Sequence, residues 1–220
     1  MALHSVNVEN DFCLGISRSQ ASQGKFRQAA LAGCCHKAAG KFRPEEITTT
    51  MVLQEAGVAR NTLYLHFENQ AALIASALLS IFLDGVYQNA DMLEKSLKQS
   101  RNKADFLRHA DEIIRASQDP DRRAFRIARC RLIALAEKNP RFAKILGAEQ
   151  NLVNERFTRL FAEMHARGWL NSEITPAAAT MLVQAITLGR IVDDVASKKV
   201  NEKAWREAYM SVVKRVILSH

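Results

Sequence analysis

The sequence predicts an all-α protein, and three observations carry that reading. From residue 25 onward, apolar residues recur at the three- and four-residue spacing of amphipathic helices. Nowhere is there the sustained alternation of a half-buried strand. Nine Gly and four Pro among 220 residues are too few for a turn-rich β fold, and Pro120, Pro140 and Pro176 each fall near a helix start.

Residues 1–22 are polar and without helical periodicity, and are expected to form a flexible arm. Glu9 and Asp11 beside Arg18 make this a poor match to a basic, groove-reaching arm. A first helix is expected over roughly 25–39, with Phe26, Ala29, Ala30 and Cys34 as its apolar stripe. Pro44, in "GKFRPEE", stops the pattern. A short helix over roughly 49–56 follows, with Thr48 as N-cap. After Gly57 comes another over roughly 60–67, then a long helix from about 70 to 97. Further helices are expected over roughly 103–117, 121–138, 140–167, 176–197 and 201–218. The expected organisation is an arm (1–22), an N-terminal three-helix domain (23–73) and a larger helical domain (74–220).

Residues 177–195 are apolar on nearly every side, with Met181, Leu182, Val183, Ile186, Leu188, Ile191, Val192 and Val195. A helix apolar all round needs cover all round. The last helix adds a broad face of Trp205, Ala208, Tyr209, Val212, Val213, Val216 and Ile217. A homodimer seam through 176–197 and 201–218 is the economical cover, and the central helix of a monomeric bundle is the alternative.

The balance of 48% hydrophobic and 25% charged residues is that of a globular protein with a real core. No window is read as the roughly 18 apolar residues of a membrane span, and residues 1–20 lack a basic start followed by an apolar block. The expected location is the cytoplasm, with no membrane partner. Cys13, Cys34, Cys35 and Cys130 show neither metal spacing nor a disulfide framework, and are read as buried thiols, with a redox sensor as the lesser reading. A net charge of +8 favours a polyanionic partner, although its sign alone does not decide. There is no Gly-rich phosphate loop, nucleophile elbow or paired metal-ligand motif. The sequence is therefore read as a non-enzyme without metal or cofactor.

The stretch "QEAGVARNTLYLHFENQ", residues 54–70, reads as a helix-turn-helix. Gly57 lies where a left-handed backbone is often needed after a helix. Val52, Ala56, Val58, Leu63 and Phe67 can form the small core between two helices. Arg60, Asn61, Thr62, Tyr64 and His66 are then left to project outward, a set suited to a DNA major groove. The longer stretch "TTTMVLQEAGVARNTLYLHFENQAAL" resembles the DNA-binding domain of the tetracycline-repressor (TetR) family. The opening Thr pair, "EAGV", "TLYLHF", and Asn69 with Leu73 carry the match over residues 47–73, extended by the preceding helix to about 25–73.

The resemblance implies that Thr48 and Thr49 meet phosphate at a helix N-terminus. It implies that Arg60, Asn61 and Thr62 face bases or adjacent backbone, with Arg60 placed for a bidentate contact to guanine. Tyr64 and His66 would donate to phosphate, fixing register more than sequence. Gln70 stands where the family commonly has a phosphate-binding Lys, Leu53 where it usually has Ala, and the 40–47 loop is longer and carries Glu45 and Glu46.

Residues 122–131 read "RRAFRIARCR", and Arg122, Arg126 and Arg129 share a helix face. Three readings stay open: a face paired with acids such as Asp111, Glu112 or Asp194, a site for an anionic effector such as a carboxylate or acyl thioester, and auxiliary contact with DNA phosphates, and Arg126 and Cys130 are counted among the effector candidates. The resemblance also places His109, Met164, Trp169 and Met181 on helices that line the family's ligand cavity, although Met and aromatic residues at helical spacing are more often core. Asp193 and Asp194, in an apolar helix, call for basic partners such as Arg190 of a second subunit.

The function expected from these features is a homodimeric, sequence-specific transcriptional regulator, a repressor released from a palindromic operator by a small-molecule effector of unknown identity. The competing expectation is a helical ligand-binding or interaction protein of the same shape with little specific DNA affinity.

Overall fold

The computed structural model describes residues 70–218, together with Thr50, Met51 and Gln54, which are helical. The chain divides between Ser80 and Ile81 into two units, and the boundary falls inside a helix. The described residues are all-α, as the sequence predicts, apart from one isolated antiparallel bridge between Leu170 and Leu218.

Helix α1 is Gln70–Gln99. Its sequence contains no Pro, and its buried positions from Phe82 on, including Val86, Ala90, Leu93 and Leu97, recur every three or four residues. The same helix corrects the expectation that no stretch is apolar enough to span a membrane. An 18-residue window within Ala72–Gln99 reaches a mean hydropathy of 1.3, so length and composition alone pass that test. Half of the window is buried inside the protein, as in a core helix.

The remaining helices start where side-chain caps and prolines place them. Helix α2 is Lys103–Gln118, capped by Asn102 accepting from the Asp105 N–H. After a 3-10 turn at Pro120–Arg122 comes α3, Arg123–Lys138. Helix α4, Pro140–Ala166, begins with Pro at its first position and Asn139 capping Phe142 N–H. Helix α5, Pro176–Gly189, repeats the device with Pro176 and Thr175. Two short helices follow: α6, Ile191–Val195, and α7, Glu202–Val212, the latter capped by Asn201.

The end of α4 is fixed by Gly168, whose φ of 69° is open to Gly at little cost. Gly168 N–H donates to the His165 carbonyl and Trp169 N–H to the Met164 carbonyl, both at 2.9 Å. This paired closure satisfies carbonyls that the helix end would otherwise leave bare.

Two expected helices differ. The helix read over 176–197 is broken at Arg190, whose carbonyl accepts from both Asp193 and Asp194 N–H and so caps α6 separately from α5. The helix read over 201–218 is α-helical only to Val212. Beyond it, Val213–Ile217 widens into a π-turn, closed by Leu218 N–H on the Val213 carbonyl at 2.9 Å.

Within the C-terminal unit, α4 packs along α3 and α5, α7 packs on α2, and α3 also meets α6. The C-terminal segment is tied back to the loop after α4, where Asn171 N–H donates to the Ile217 carbonyl at 2.9 Å and its amide to the Val216 carbonyl at 3.0 Å. The core these helices enclose includes Phe106, Ile114, Leu132, Phe157, Phe161 and Met164.

Candidate functional site

A cavity of about 100 Å³ opens inside the C-terminal unit, lined from α1, α2, α3, α4, α5, α7 and the C-terminal turn. Phe106, Phe125, Phe157, Phe161 and Met164 supply most of its apolar wall. A second cavity, of about 360 Å³, lies between α3, α4 and α5 and includes Leu132, Leu146, Gln150 and Met181. Arg129 and Gln184 line both, so these two side chains mark the junction.

The junction is held by a connected polar group. Arg129 Nη2 donates to Gln184 Oε1 at 3.1 Å, and Gln150 Nε2 donates to the same oxygen at 3.0 Å. Gln184 Nε2 donates in turn to Asn154 Oδ1 at 2.9 Å. The Arg129 guanidinium also lies 5.3 Å from the centroid of the Phe82 ring. Ring and amide together fix its position. No carboxylate among the described residues pairs with it, and burial draws its pKa down, the lesser influence of Cys130 beside it acting the other way. Arg remains protonated at any ordinary pH, so the cavity junction carries a lasting positive charge.

On the α7 side, the Tyr209 hydroxyl is bonded to Thr187, and burial pushes its pKa up to about 12. Thr187 Oγ1 donates to the Val183 carbonyl at 2.9 Å and accepts from Gln118 Nε2 at 3.4 Å. Gln118 is itself held by Trp205 Nε1 at 2.9 Å. Tyr209 therefore stays a neutral hydroxyl in the cavity wall.

The three arginines that the sequence places on one helix face have three different environments, and Arg122 lies in the 3-10 turn before α3. Arg122 spends its donors on Asn89 Oδ1 at 2.6 Å, the Gly85 carbonyl at 2.9 Å and Gln88 Oε1 at 3.4 Å. Arg126 is 1% exposed and paired with Asp194. Only Arg129 of the three faces a cavity.

The other effector candidates from the sequence do not converge on one place. Met164 is buried and lines the smaller cavity, and Met181, 58% exposed, lines the larger. His109 bonds Ser100 Oγ through Nδ1 at 3.2 Å and lines neither. Trp169 sits behind the wall, its ring 5.9 Å from that of Phe106 and 4.9 Å from the Arg167 guanidinium. Cys130 is a half-buried thiol whose pKa is raised, mainly by burial, which makes it less reactive than a free thiol. Asp193 finds an Arg190 within its own chain, at 3.5 Å. The sequence pattern does not mark Asn89, Gln184, Thr187 or Tyr209 as cavity residues, although Gln184 and Thr187, three apart in the apolar run 177–195, are a visible signal. Thr48, Thr49, Arg60, Asn61, Thr62, Tyr64 and His66 lie outside the described residues, and Gln70 is the first residue of α1.

Solved structures share this fold. A TetR-family transcriptional regulator of Mesorhizobium loti superposes with a TM-score of 0.64 at 12% identity, over 88% of this chain and 96% of that one. A TetR-family regulator of a Rhodococcus species gives 0.62 at 16% identity, over 89% and 100%. A transcriptional regulator of Saccharomonospora viridis, solved with choline, gives 0.61 at 13% identity, over 90% and 100%. No protein-family model and no curated protein matches the chain. The chain has the all-α fold of TetR-family regulators, and at these identities the likeness is one of fold.

Proposed function

We propose that this chain is a sequence-specific, DNA-binding transcriptional regulator that acts as a homodimer and is released from a palindromic operator by a small ligand. The observation that carries the reading is a conjunction. The residue order "TTTMVLQEAGVARNTLYLHFENQAAL" resembles the TetR DNA reader, in a chain whose fold is that of TetR-family structures. Two copies of helix 60–67 would enter successive major grooves, about one DNA turn or roughly 34–36 Å apart.

The dimer is supported by apolar side chains that the chain leaves bare on α5 and α6. Met181 is 58%, Val192 71% and Val195 70% exposed. The release step is supported by the cavity, because a ligand bound more tightly by the DNA-incompetent geometry shifts the population away from DNA. A preference of about 1–3 kcal/mol falls in the usual range of such coupling.

The test is fluorescence anisotropy on DNA from upstream of the gene, against scrambled DNA, over a salt series. Tight binding to one palindrome and weak binding to scrambled DNA is the expected result. Equal weak binding to both would favour the second reading, a ligand-binding protein with little specific DNA affinity. Gln70, Leu53 and the acidic 40–47 loop are the features that favour that alternative.

A further inference from the structure

We infer that the cavity of the C-terminal unit takes a small monocarboxylate, its carboxylate on Arg129 and its apolar body against Phe106, Phe157, Phe161 and Met164. The inference rests on the reading above that this cavity is the effector site.

Charge selects the class. Arg156 and Arg190 have carboxylate partners, as does Arg126, whereas Arg129 has none among the described residues. Of the five N–H donors of a guanidinium, one is used, on Gln184. The planar fork matches a carboxylate in two parallel hydrogen bonds. Asn89 also lines the smaller cavity. Its oxygen is taken by Arg122, leaving its amide nitrogen without a protein partner among the described residues.

Charge also sets the valence. Arg122 and Arg126 direct their donors elsewhere and line neither cavity, so a single uncompensated cation faces the ligand. A monoanion balances it, and a dianion such as a phosphate monoester would leave one charge desolvated and unpaired. A cation like the choline of the S. viridis structure would meet Arg129 with like charge.

Size narrows the body. An engineered apolar cavity of roughly 150 Å³ takes benzene, so a cavity of about 100 Å³ suits a smaller apolar body, of about four carbons. Tyr209 and Thr187 line the same cavity as neutral groups and add no charge to it.

The experiment is calorimetric titration of the full chain, without DNA, at pH 7.5. The probes are isovalerate, hexanoate and benzoate, each against its amide, with phenyl phosphate as a further probe. At least one acid should bind about tenfold or more tightly than its amide, the range of a charge-assisted hydrogen bond. R129Q should bind acid and amide alike. Amides equal to acids, no binding by any acid, or phenyl phosphate matching benzoate would each overturn the proposal, as would an undiminished acid preference in R129Q. If R129Q does not fold, R129K takes its place, keeping the charge but losing the fork, and should retain a reduced preference. The acid–amide comparison in the unaltered chain stands independently of both variants. Acid binding that leaves DNA affinity unchanged would refute the effector reading while the ligand class stands. DNA release by acid and amide alike would do the reverse.

Discussion

Arg126 and Asp194 form a bidentate ion pair inside the C-terminal unit. Arg126 Nε donates to Oδ2 at 2.5 Å and Nη2 to Oδ1 at 2.9 Å, with the two side chains 1% and 8% exposed. Nη1 adds a bond to the Asp119 carbonyl at 3.1 Å. The pair joins α3 to α6, the short helix that carries the exposed Val192 and Val195. Removing one member leaves a buried charge without its partner. Asp194→Ala is therefore expected to cost about 3–5 kcal/mol, while replacing both residues by apolar ones of similar volume should be close to neutral. Urea denaturation of the single and double variants measures both. A loss below about 1 kcal/mol in the single variant would mean that water reaches the pair.

Gly85 sits where α1 meets the ring of Phe125. A Cβ there would lie 2.4 Å from Phe125 Cδ2 and 2.7 Å from Cε2. Phe125 also stacks on Phe82 at 6.0 Å and lines the smaller cavity. Gly85→Ala gains about 1 kcal/mol of helix propensity and incurs about 1–3 kcal/mol of overpacking. The expected outcome is a net loss of up to about 2 kcal/mol in thermal or urea unfolding, with Phe125 displaced. A more stable variant would show that Phe125 yields freely.

The helices were legible because their punctuation is local. Asn102, Asn139, Thr175 and Asn201 cap helices, and Pro140 and Pro176 open two of them, each within three residues of what it governs. The break at Arg190 was not legible, since the apolar pattern runs straight through it. At the break Arg190 bonds Glu202 and lies over the Trp205 ring at 5.5 Å, contacts made outside the segment. The same limit applies to the arginine face. Arg126 and Arg129 differ by one helical turn, and the acid that decides between them, Asp194, is 68 residues further on. Local spacing shows that three charges share a face, and only the tertiary fold shows which is left unpaired. The residues that the TetR resemblance assigns to DNA remain an expectation from the sequence pattern, because they lie outside the described residues.

Tyr209 makes stability fall at high pH. Its pKa is pushed up to about 12 by burial, against an ordinary value of 10.0. Below pH 10 both folded and unfolded chains keep the phenol proton. Between pH 10 and 12 the unfolded chain releases it and the folded chain does not, so the unfolded state gains. The stability present below the unfolded pKa is lost as pH rises toward the folded pKa, about 2–3 kcal/mol for this one group. Tyr209→Phe should remove that part of the alkaline loss. Urea unfolding of both proteins at pH 9 and pH 11.5 checks it, and parallel losses in the two would refute the assignment.

Gln70 opens α1 at the position where the TetR resemblance places a phosphate-binding Lys. Each phosphate neutralised by a cation releases condensed counterions, and the affinity then falls with log salt with a slope of about 0.9 per contact on duplex DNA. A Gln at that position carries no charge and could offer only a neutral hydrogen bond. Gln70→Lys is therefore expected to tighten DNA binding most at low salt and to steepen the salt slope by about one contact per subunit, hence about 1.8 for a dimer. Preference among operator sequences should not change, because a phosphate contact fixes register without reading bases. Anisotropy titrations of both proteins on operator and scrambled DNA, at several salt concentrations, decide the matter. An unchanged slope would place residue 70 away from the phosphate backbone. A changed base preference would place it in the groove.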